Sequence, residues 1–334
     1  MMVLFVSIFA GIRSTGVGTD TEYYLVKHFN WAQQYKNHIS QFINYMYKTE
    51  EVDYLYIILL YFCANCFRNI HVLMFALSLI TNIFVYLALK QNRRQMSLAA
   101  GWLIYCFAFF NTTLNIVRQS CAIAIVFYLI SAYNQNNISK RQLVFWSITA
   151  ILFHRTAVLP VLIFLAFSIF NSKKKYTYLL VTLTALICAF PILFETMISF
   201  LKNLNLLPIR YRIYFDINNS EQSSVFLDAI VYMLPTMGLI ICTLKCHKNS
   251  IAMYISIGLI CVVTYLKTNL LMNRLSYYFI IYFSVSAPVS ARIMAKNIES
   301  RILYEWILIF GFALLWAINI IVFNYGQTYP YLMG

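Results

Sequence analysis

Long apolar stretches separated by short polar connectors run through almost the whole 334-residue chain. A helix of about 20 apolar residues crosses the hydrocarbon core of a bilayer. The pattern therefore predicts an all-α polytopic membrane protein with about eleven spanning helices, forming a single transmembrane domain over residues 1–334. The predicted spans are 2–12, 70–89, 97–111, 114–133, 142–154, 156–171, 176–194, 226–244, 250–266, 274–291 and 302–323.

Clusters of Lys and Arg fall on alternate connectors, and they set the predicted orientation. The clusters lie at 90–94, 139–141, 173–175, 245–248 and 291–301. Because short basic loops stay on the cytoplasmic side, we expect these connectors to face inward. The alternation holds only if residues 51–68 do not span, so this stretch is interpreted as an interfacial or re-entrant helix. The N-terminus is then inside, the C-terminus is outside, and an outer loop covers residues 195–225.

The composition agrees with this class, since 61% of the residues are hydrophobic and only 11% are charged. An ordinary soluble domain is excluded by these values. A net charge of +14 in a soluble protein would suggest nucleic acid, but here the basic residues divide by membrane side, so membrane lipids and no nucleic acid are predicted as partners. None of the five histidines has a second ligand at short spacing, so no metal or cofactor is predicted.

A second set of arginines falls on the predicted outer side, against the usual charge bias. The set is Arg13, Arg118, Arg155, Arg210, Arg212 and Arg274. Any one of them could snorkel or pair with an outer acid such as Asp20 or Asp216. For the set together the acids are too few, and guanidinium groups bind phosphates through paired hydrogen bonds. We therefore expect a site for a pyrophosphate or another multiply charged anion.

Two residues on the outer side are candidates for moving a proton. His154 lies in the turn "FHRTA", where a neutral imidazole can accept a proton near neutral pH. Asp20 closes the turn "GVGTD" and is the second candidate. The alternatives are a histidine that ends a helix on backbone hydrogen bonds, and an aspartate that caps a helix or pairs with Arg13. The neighbouring Tyr23 and Tyr24 fit either an interfacial aromatic belt or a platform that stacks on sugars.

Five motifs follow one another along the chain: "IRSTGVGTDTEYY" (12–24), "LNIVRQSCAIAI" (114–125), "AILFHRTAVLPVLIFL" (150–165), "NRLSYYF" (273–279) and "YPYL" (329–332). In this order the chain resembles the EpsG/Wzy-type family of bacterial polysaccharide polymerases. It departs from the family pattern in carrying Thr21 after Asp20, in carrying Thr156 two residues after the histidine, and in beginning almost at the first arginine.

The resemblance implies a metal-independent glycosyltransferase of GT-C-like architecture in the bacterial inner membrane, with its active site on the periplasmic or extracytoplasmic side. It would transfer a growing glycan from undecaprenyl pyrophosphate to the non-reducing end of a lipid-linked oligosaccharide repeat unit. The product would be O-antigen, capsule or exopolysaccharide, and a chain-length regulator protein would be a partner.

The chemistry of this reaction suggests roles for the residues described above. His154 and Asp20 would be catalytic. The pyrophosphate would be bound by Arg118, Arg274 and Arg210 or Arg212, with Arg13 and Arg155 as additional candidates. The sugars would be contacted by Gln119, Tyr23, Tyr24 and Tyr278.

Three other functions are compatible with parts of the pattern. A flippase for the same lipid-linked sugar would also need an arginine-lined cavity, but it would carry charge along a path through the membrane and tends to contain internal repeats. An O-antigen ligase would share the donor and accept lipid A core instead. A non-catalytic scaffold would leave the outer arginines unexplained.

Overall fold

The computed structural model describes residues 1–169 and 270–334. Within these two ranges every regular element is a helix, which confirms the all-α prediction there. Several predicted features lie outside the described residues. They are the spans at 176–194, 226–244 and 250–266, the basic connectors at 173–175 and 245–248, and the outer loop at 195–225.

Most of the helices follow the apolar stretches of the sequence, while Lys27–Gln34 and Ile39–Lys48 form in a more polar region. The first five are α1 (Met2–Gly11), α2 (Lys27–Gln34, entered through a π-helix at Thr21–Val26), α3 (Ile39–Lys48), α4 (Tyr54–Phe62, continued as a π-helix at Cys63–Phe67) and α5 (Ile70–Gln91). The next five are α6 (Leu98–Tyr105, continued as a π-helix at Cys106–Phe110), α7 (Asn111–Asn115), α8 (Val117–Asn134), α9 (Lys140–Phe153) and α10 (Val158–Ile169). The last three are α11 (Leu270–Ile280), α12 (Phe283–Met294) and α13 (Ile298–Trp316, continued as a π-helix at Ala317–Val322).

Capping side chains explain where two helices begin. Ser139 and Gln142 form a capping box, so α9 starts at Lys140, ahead of the predicted boundary. Asn297 and Ser300 form a second capping box, at the start of α13. The predicted span 274–291 is not one uninterrupted helix, because α11 ends at Ile280 and α12 begins at Phe283.

Helix α8 lies at the centre of the described bundle. Beyond its polar first turn it is largely apolar on every side, and a helix of this kind is stable only when it is buried. It packs against α5 and α9 and also contacts α10 and α11. Thr81 of α5 lies 3.2 Å from the Ser120 hydroxyl of α8, which joins the two helices by a polar contact near the start of α8.

Two helices in the described ranges are long and apolar enough to cross a membrane, α5 and the continuous helix Ile298–Val322. Only 22% of the apolar window of the second is buried, and Trp306 and Phe310 on it are largely exposed. Exposed apolar surface of this extent is unfavourable in water and is typical of a helix that faces lipid. The number of spans stays a prediction.

The basic connectors that the structure describes meet at one end of the bundle. The Asn137 side chain donates to the Gln91 side chain at 2.8 Å, and the Gln95 side chain donates to that of Gln135 at 3.4 Å. Arg292 donates to the carbonyl of Arg94. The first turn of α8 lies at the opposite end, because the 18 residues of this helix extend about 27 Å at 1.5 Å per residue.

The C-terminal segment returns to the loop that follows α1. The Ser14 amide donates to the Leu332 carbonyl at 2.7 Å, and the Gly334 amide donates to the Ile12 carbonyl at 3.0 Å. The Tyr331 ring stacks on Phe9 with 4.1 Å between ring centroids. The "YPYL" motif is thus docked beside the segment that leads to Asp20.

Candidate functional site

A pocket opens at the first turn of α8. The segment after α1 contributes Asp20 and Tyr24, α8 contributes Arg118 and Gln119, the residue after α9 is His154, and α11 contributes Arg274. Four segments that are distant in sequence therefore place their candidate residues around one cavity. Its position, at the end of the bundle opposite the described basic connectors, follows from the antiparallel packing of α8 with α5 and α9.

Arg118 presents a cation to this pocket at a helix N-terminus. Its guanidinium carbon lies 5.3 Å from the centroid of the Tyr56 ring, which holds the side chain by a cation–π contact. Its Nη1 is buried and has no hydrogen-bond partner within the described residues. No side chain caps the first turn of α8, so the positive end of the helix dipole also faces the pocket. These features together favour an anionic ligand.

Arg274 and Asp20 form an ion pair across the pocket, with 3.6 Å between Nη2 and Oδ2. The side-chain amide nitrogen of Gln119 donates to the Arg274 carbonyl at 2.7 Å and so fixes α11 against α8. The other end of this amide, Oε1, is buried without a hydrogen-bond partner in the described part of the chain. The pocket therefore combines two guanidinium groups, one carboxylate and one unsatisfied amide oxygen.

His154 ends α9 and caps the short 3₁₀ turn Arg155–Ala157. Its Nδ1 lies 2.7 Å from the Thr156 hydroxyl and accepts the Thr156 backbone N–H at 3.3 Å. The Thr156 hydroxyl in turn lies 3.1 Å from the hydroxyl of Tyr278. Thr156 is a site residue that the sequence reasoning missed, although its place two residues after the histidine matches the way a side chain caps a short turn.

Arg13 does not line this pocket. Its side chain is 1% exposed. It donates to the Ala10 carbonyl at 3.0 Å, to the Thr21 hydroxyl at 3.1 Å and to the Leu114 carbonyl at 3.0 Å. Burial lowers the pKa of Arg13 to about 10, which still leaves the guanidinium charged at neutral pH. The contacts tie the segment before Asp20 to α7, so the structure supports a positioning role for Arg13.

Arg13→Ala is therefore expected to lower stability. The substitution removes the Arg13 donor from the Ala10 carbonyl and leaves the Leu114 carbonyl with the 3.3 Å hydrogen bond from the Thr21 hydroxyl. A buried carbonyl that loses its donor costs about 1–3 kcal/mol. The melting temperature of the purified protein in detergent should fall clearly below that of the wild type. Arg93→Ala is the matched control, since Arg93 is exposed in the connector after α5. An unchanged melting temperature with lost activity would instead indicate that Arg13 touches a ligand.

Not all of the other residues predicted to bind pyrophosphate or sugar line the pocket. Arg155 lies outside the pocket and donates to the Asp53 carboxylate at 3.1 Å, which joins the turn after α9 to the start of α4. Tyr23 is exposed, whereas Tyr278 is 1% exposed and is linked to His154 through the Thr156 hydroxyl. Arg210 and Arg212 lie outside the described residues.

His28 lies directly behind the pocket, and the sequence reasoning gave it no role. Its side chain is 1% exposed, and its ring is 6.1 Å from that of Tyr56 and 5.9 Å from that of Trp31. Burial, with further effects from Arg118 and Lys27, lowers the pKa of His28 to about 3. A neutral His28 adds no charge to the site at physiological pH.

Within residues 1–169 and 270–334, no group of three or more His, Cys, Asp or Glu side chains is placed to hold a metal ion. The cations that face the pocket in these ranges are the side chains of Arg118 and Arg274. The chemistry available to a ligand here is hydrogen bonding, charge stabilisation by guanidinium groups, and proton transfer at Asp20 or His154.

The comparison with protein families gives one match that covers nearly the whole chain. The model of the EpsG family aligns with residues 1–333. No curated protein and no solved structure matches the chain significantly. The match includes every segment that contributes to the pocket. The resemblance seen in the sequence motifs is thereby confirmed, and the chain belongs to the EpsG family.

Proposed function

We propose that this protein is a polysaccharide polymerase of the bacterial cytoplasmic membrane. It transfers a growing glycan from undecaprenyl pyrophosphate to the non-reducing end of a lipid-linked oligosaccharide repeat unit. Membership of the EpsG family supports a polymerase of this kind. The observation that carries the proposal is the pocket in which Arg118, Arg274, Asp20 and His154 meet at the first turn of α8.

The two ends of the described bundle support the proposed membrane orientation. Connectors with Lys and Arg meet at one end, and short basic connectors stay in the cytoplasm. The pocket at the opposite end then faces the outer side, where lipid-linked repeat units are joined. Exposed apolar surface on α13 supports contact with lipid. The proposal includes about eleven spans and a GT-C-like architecture.

The segment 51–68 is proposed not to span. The structure forms it from nine residues of α4 and five of the following π-helix. This length equals that of α9, so the reason for proposing that 51–68 does not span is the alternation of the basic connectors, which a span here would break. Tyr56 from this segment packs behind Arg118, so a re-entrant or interfacial helix would form one wall of the pocket.

The reaction needs a leaving group to be stabilised and a proton to be removed. A hydroxyl oxygen of the acceptor sugar attacks C1 of the donor sugar, and the bond from C1 to the pyrophosphate oxygen breaks. The electron pair leaves with the pyrophosphate, where Arg118 and Arg274 stabilise the developing charge. The hydroxyl proton passes to a base, for which the pocket offers Asp20 and His154.

Sugars require hydrogen bonds and aromatic surface, and the pocket provides both. The buried Oε1 of Gln119 is suited to accept a hydrogen bond from a sugar hydroxyl. Tyr24 lines the pocket and Tyr23 is exposed beside it, so both are proposed to contact the glycan. Arg210 and Arg212, in the predicted outer loop, are proposed as further ligands of the pyrophosphate. A chain-length regulator is proposed as the protein partner.

The test is polymerisation by the purified protein in liposomes supplied with lipid-linked repeat units. We expect a ladder of glycans on the lipid carrier, and we expect the same ladder in the presence of EDTA because the proposed mechanism uses guanidinium groups. Liposomes without protein are the control. Transport of unpolymerised units across the bilayer would instead indicate a flippase, and product formed only when lipid A core is added would indicate a ligase.

A further inference from the structure

The hydrogen bonds of His154 decide which of its ring nitrogens carries the proton. A neutral imidazole has one N–H donor and one acceptor nitrogen, and a fixed partner can select between the two tautomers. At His154 the fixed partner is the backbone amide of Thr156, which donates to Nδ1 at 3.3 Å. A backbone N–H can only donate, so this contact favours the tautomer in which Nδ1 is the acceptor, but at 3.3 Å it is too long to fix that tautomer alone.

A second contact also favours Nδ1 of His154 as the hydrogen-bond acceptor. The Thr156 hydroxyl lies 2.7 Å from Nδ1 and 3.1 Å from the hydroxyl of Tyr278. With Nδ1 as an acceptor, the Thr156 O–H donates to it, and the remaining lone pairs of that oxygen accept the O–H of Tyr278. Tyr278 belongs to α11, four residues after Arg274, and is 1% exposed. Thr156 and Tyr278 thus form a short hydroxyl chain that ends on the histidine.

We infer that His154 is held as the tautomer protonated at Nε2 and acts as a hydrogen-bond donor to the glycosyl pyrophosphate, with Asp20 as the base. Thr156 and Tyr278 are positioning residues that select this tautomer. The inference rests on the proposed function and deepens it. It places three donors, from Arg118, Arg274 and His154, on the leaving group.

The assignment of Asp20 follows from the composition of the pocket. An imidazole whose Nδ1 accepts from Thr156 has no basic lone pair on Nε2, so it cannot take the acceptor hydroxyl's proton there. Asp20 is the only carboxylate that lines the pocket among the described residues. Its ion pair with Arg274 spans 3.6 Å, and a pyrophosphate that binds Arg274 competes with it. Donor binding would therefore release the carboxylate to accept the proton.

The tautomer can be observed without any turnover. NMR of ring-nitrogen-labelled histidine in the purified, lipid-reconstituted protein reports which nitrogen carries the proton, and the signal of His154 is identified by its loss in His154→Gln. We expect a protonated Nε2 and an unprotonated Nδ1. We expect Tyr278→Phe and Thr156→Val to mix the two tautomers and Thr156→Ser to retain the wild-type one. A wild-type His154 protonated at Nδ1 would overturn the inference.

Two substitutions of His154 distinguish, in the polymerisation assay, between a hydrogen-bond donor and a general base at this position. The amide nitrogen of Gln can donate from near the position of Nε2, but an amide is not a base. We expect His154→Gln to keep activity within about 10-fold of wild type and His154→Ala to lose about 100- to 1,000-fold, as when one donor to a developing anion is removed. Equal loss in both variants would show that His154 is the base. If wild-type protein formed no polymer, the proposed function would fail while the NMR result would still stand.

Discussion

Arg118→Ala is expected to abolish polymer formation while the protein still inserts and folds. Arg118 is the cation at the first turn of α8, and its Nη1 has no protein partner in the described part of the chain, so it is available to the proposed pyrophosphate. Removal of one group that stabilises a leaving anion reduces turnover by about 100- to 1,000-fold. A deletion strain that expresses this variant should accumulate single repeat units instead of a ladder of glycans on gel electrophoresis.

Two further variants test whether the loss of polymer in Arg118→Ala is due to the guanidinium group in the pocket. Arg141→Ala removes an exposed arginine at the start of α9, at the opposite end of the bundle, and should leave the ladder unchanged. Arg118→Lys keeps the charge but loses the planar fork that matches a phosphate, so it should recover only part of the activity. A normal ladder from Arg118→Ala would contradict the assignment of the pocket.

Asp20→Asn is expected to lower kcat strongly without weakening the binding of the donor. The amide cannot accept the proton of the acceptor hydroxyl, and the loss of a general base typically lowers kcat by about 100- to 10,000-fold. The substitution also removes the carboxylate that lies 3.6 Å from Arg274. Arg274 is then more available to the pyrophosphate, so the KM for the donor should stay the same or fall. Steady-state kinetics in liposomes measure both quantities.

Glu22→Gln is the matched control for Asp20, because Glu22 is exposed two residues further along the same segment. It should leave kcat and the donor KM unchanged. A rise in the donor KM of Asp20→Asn with an unchanged kcat would mean that Asp20 binds substrate and does not move the proton.

Much of the helical framework was predictable from the sequence because apolar stretches and caps are local. The stretch 70–89 became α5 with little change at its ends. The early start of α9 at Lys140 was encoded in the Ser139 and Gln142 spacing of a capping box. The interruption between α11 and α12 was not visible, since the whole stretch 274–291 is apolar enough for one helix.

The residues around the pocket were predictable as a set because each stands out as a polar group in an apolar context. Asp20, Arg118, His154 and Arg274 were all candidates, and the structure brings them together. The roles of individual arginines were not predictable. A sequence does not show that Arg13 is enclosed by carbonyls or that Arg155 turns toward Asp53, because tertiary packing decides both.

The hydrogen-bonded hydroxyls of Thr156 and Tyr278 behind His154 could not be predicted from the sequence either. Thr156 is local to the histidine, but Tyr278 is 122 positions from Thr156 in the sequence. Only the packing of α11 beside α8 and the end of α9 places the two hydroxyls within hydrogen-bond distance. The signal in the sequence was the four-residue spacing from Arg274 to Tyr278, which puts both on one face of a helix.

The central claim is that Arg118 and Arg274 bind the pyrophosphate of the lipid carrier. Binding of undecaprenyl pyrophosphate to the protein in nanodiscs tests it most directly, with Arg118→Ala, Arg274→Ala and the control Arg141→Ala measured side by side. Each hydrogen bond to a charged group contributes about 1.5–3 kcal/mol, so each pocket variant should bind about 10- to 100-fold more weakly while the control matches the wild type. Wild-type affinity in both pocket variants would contradict the account.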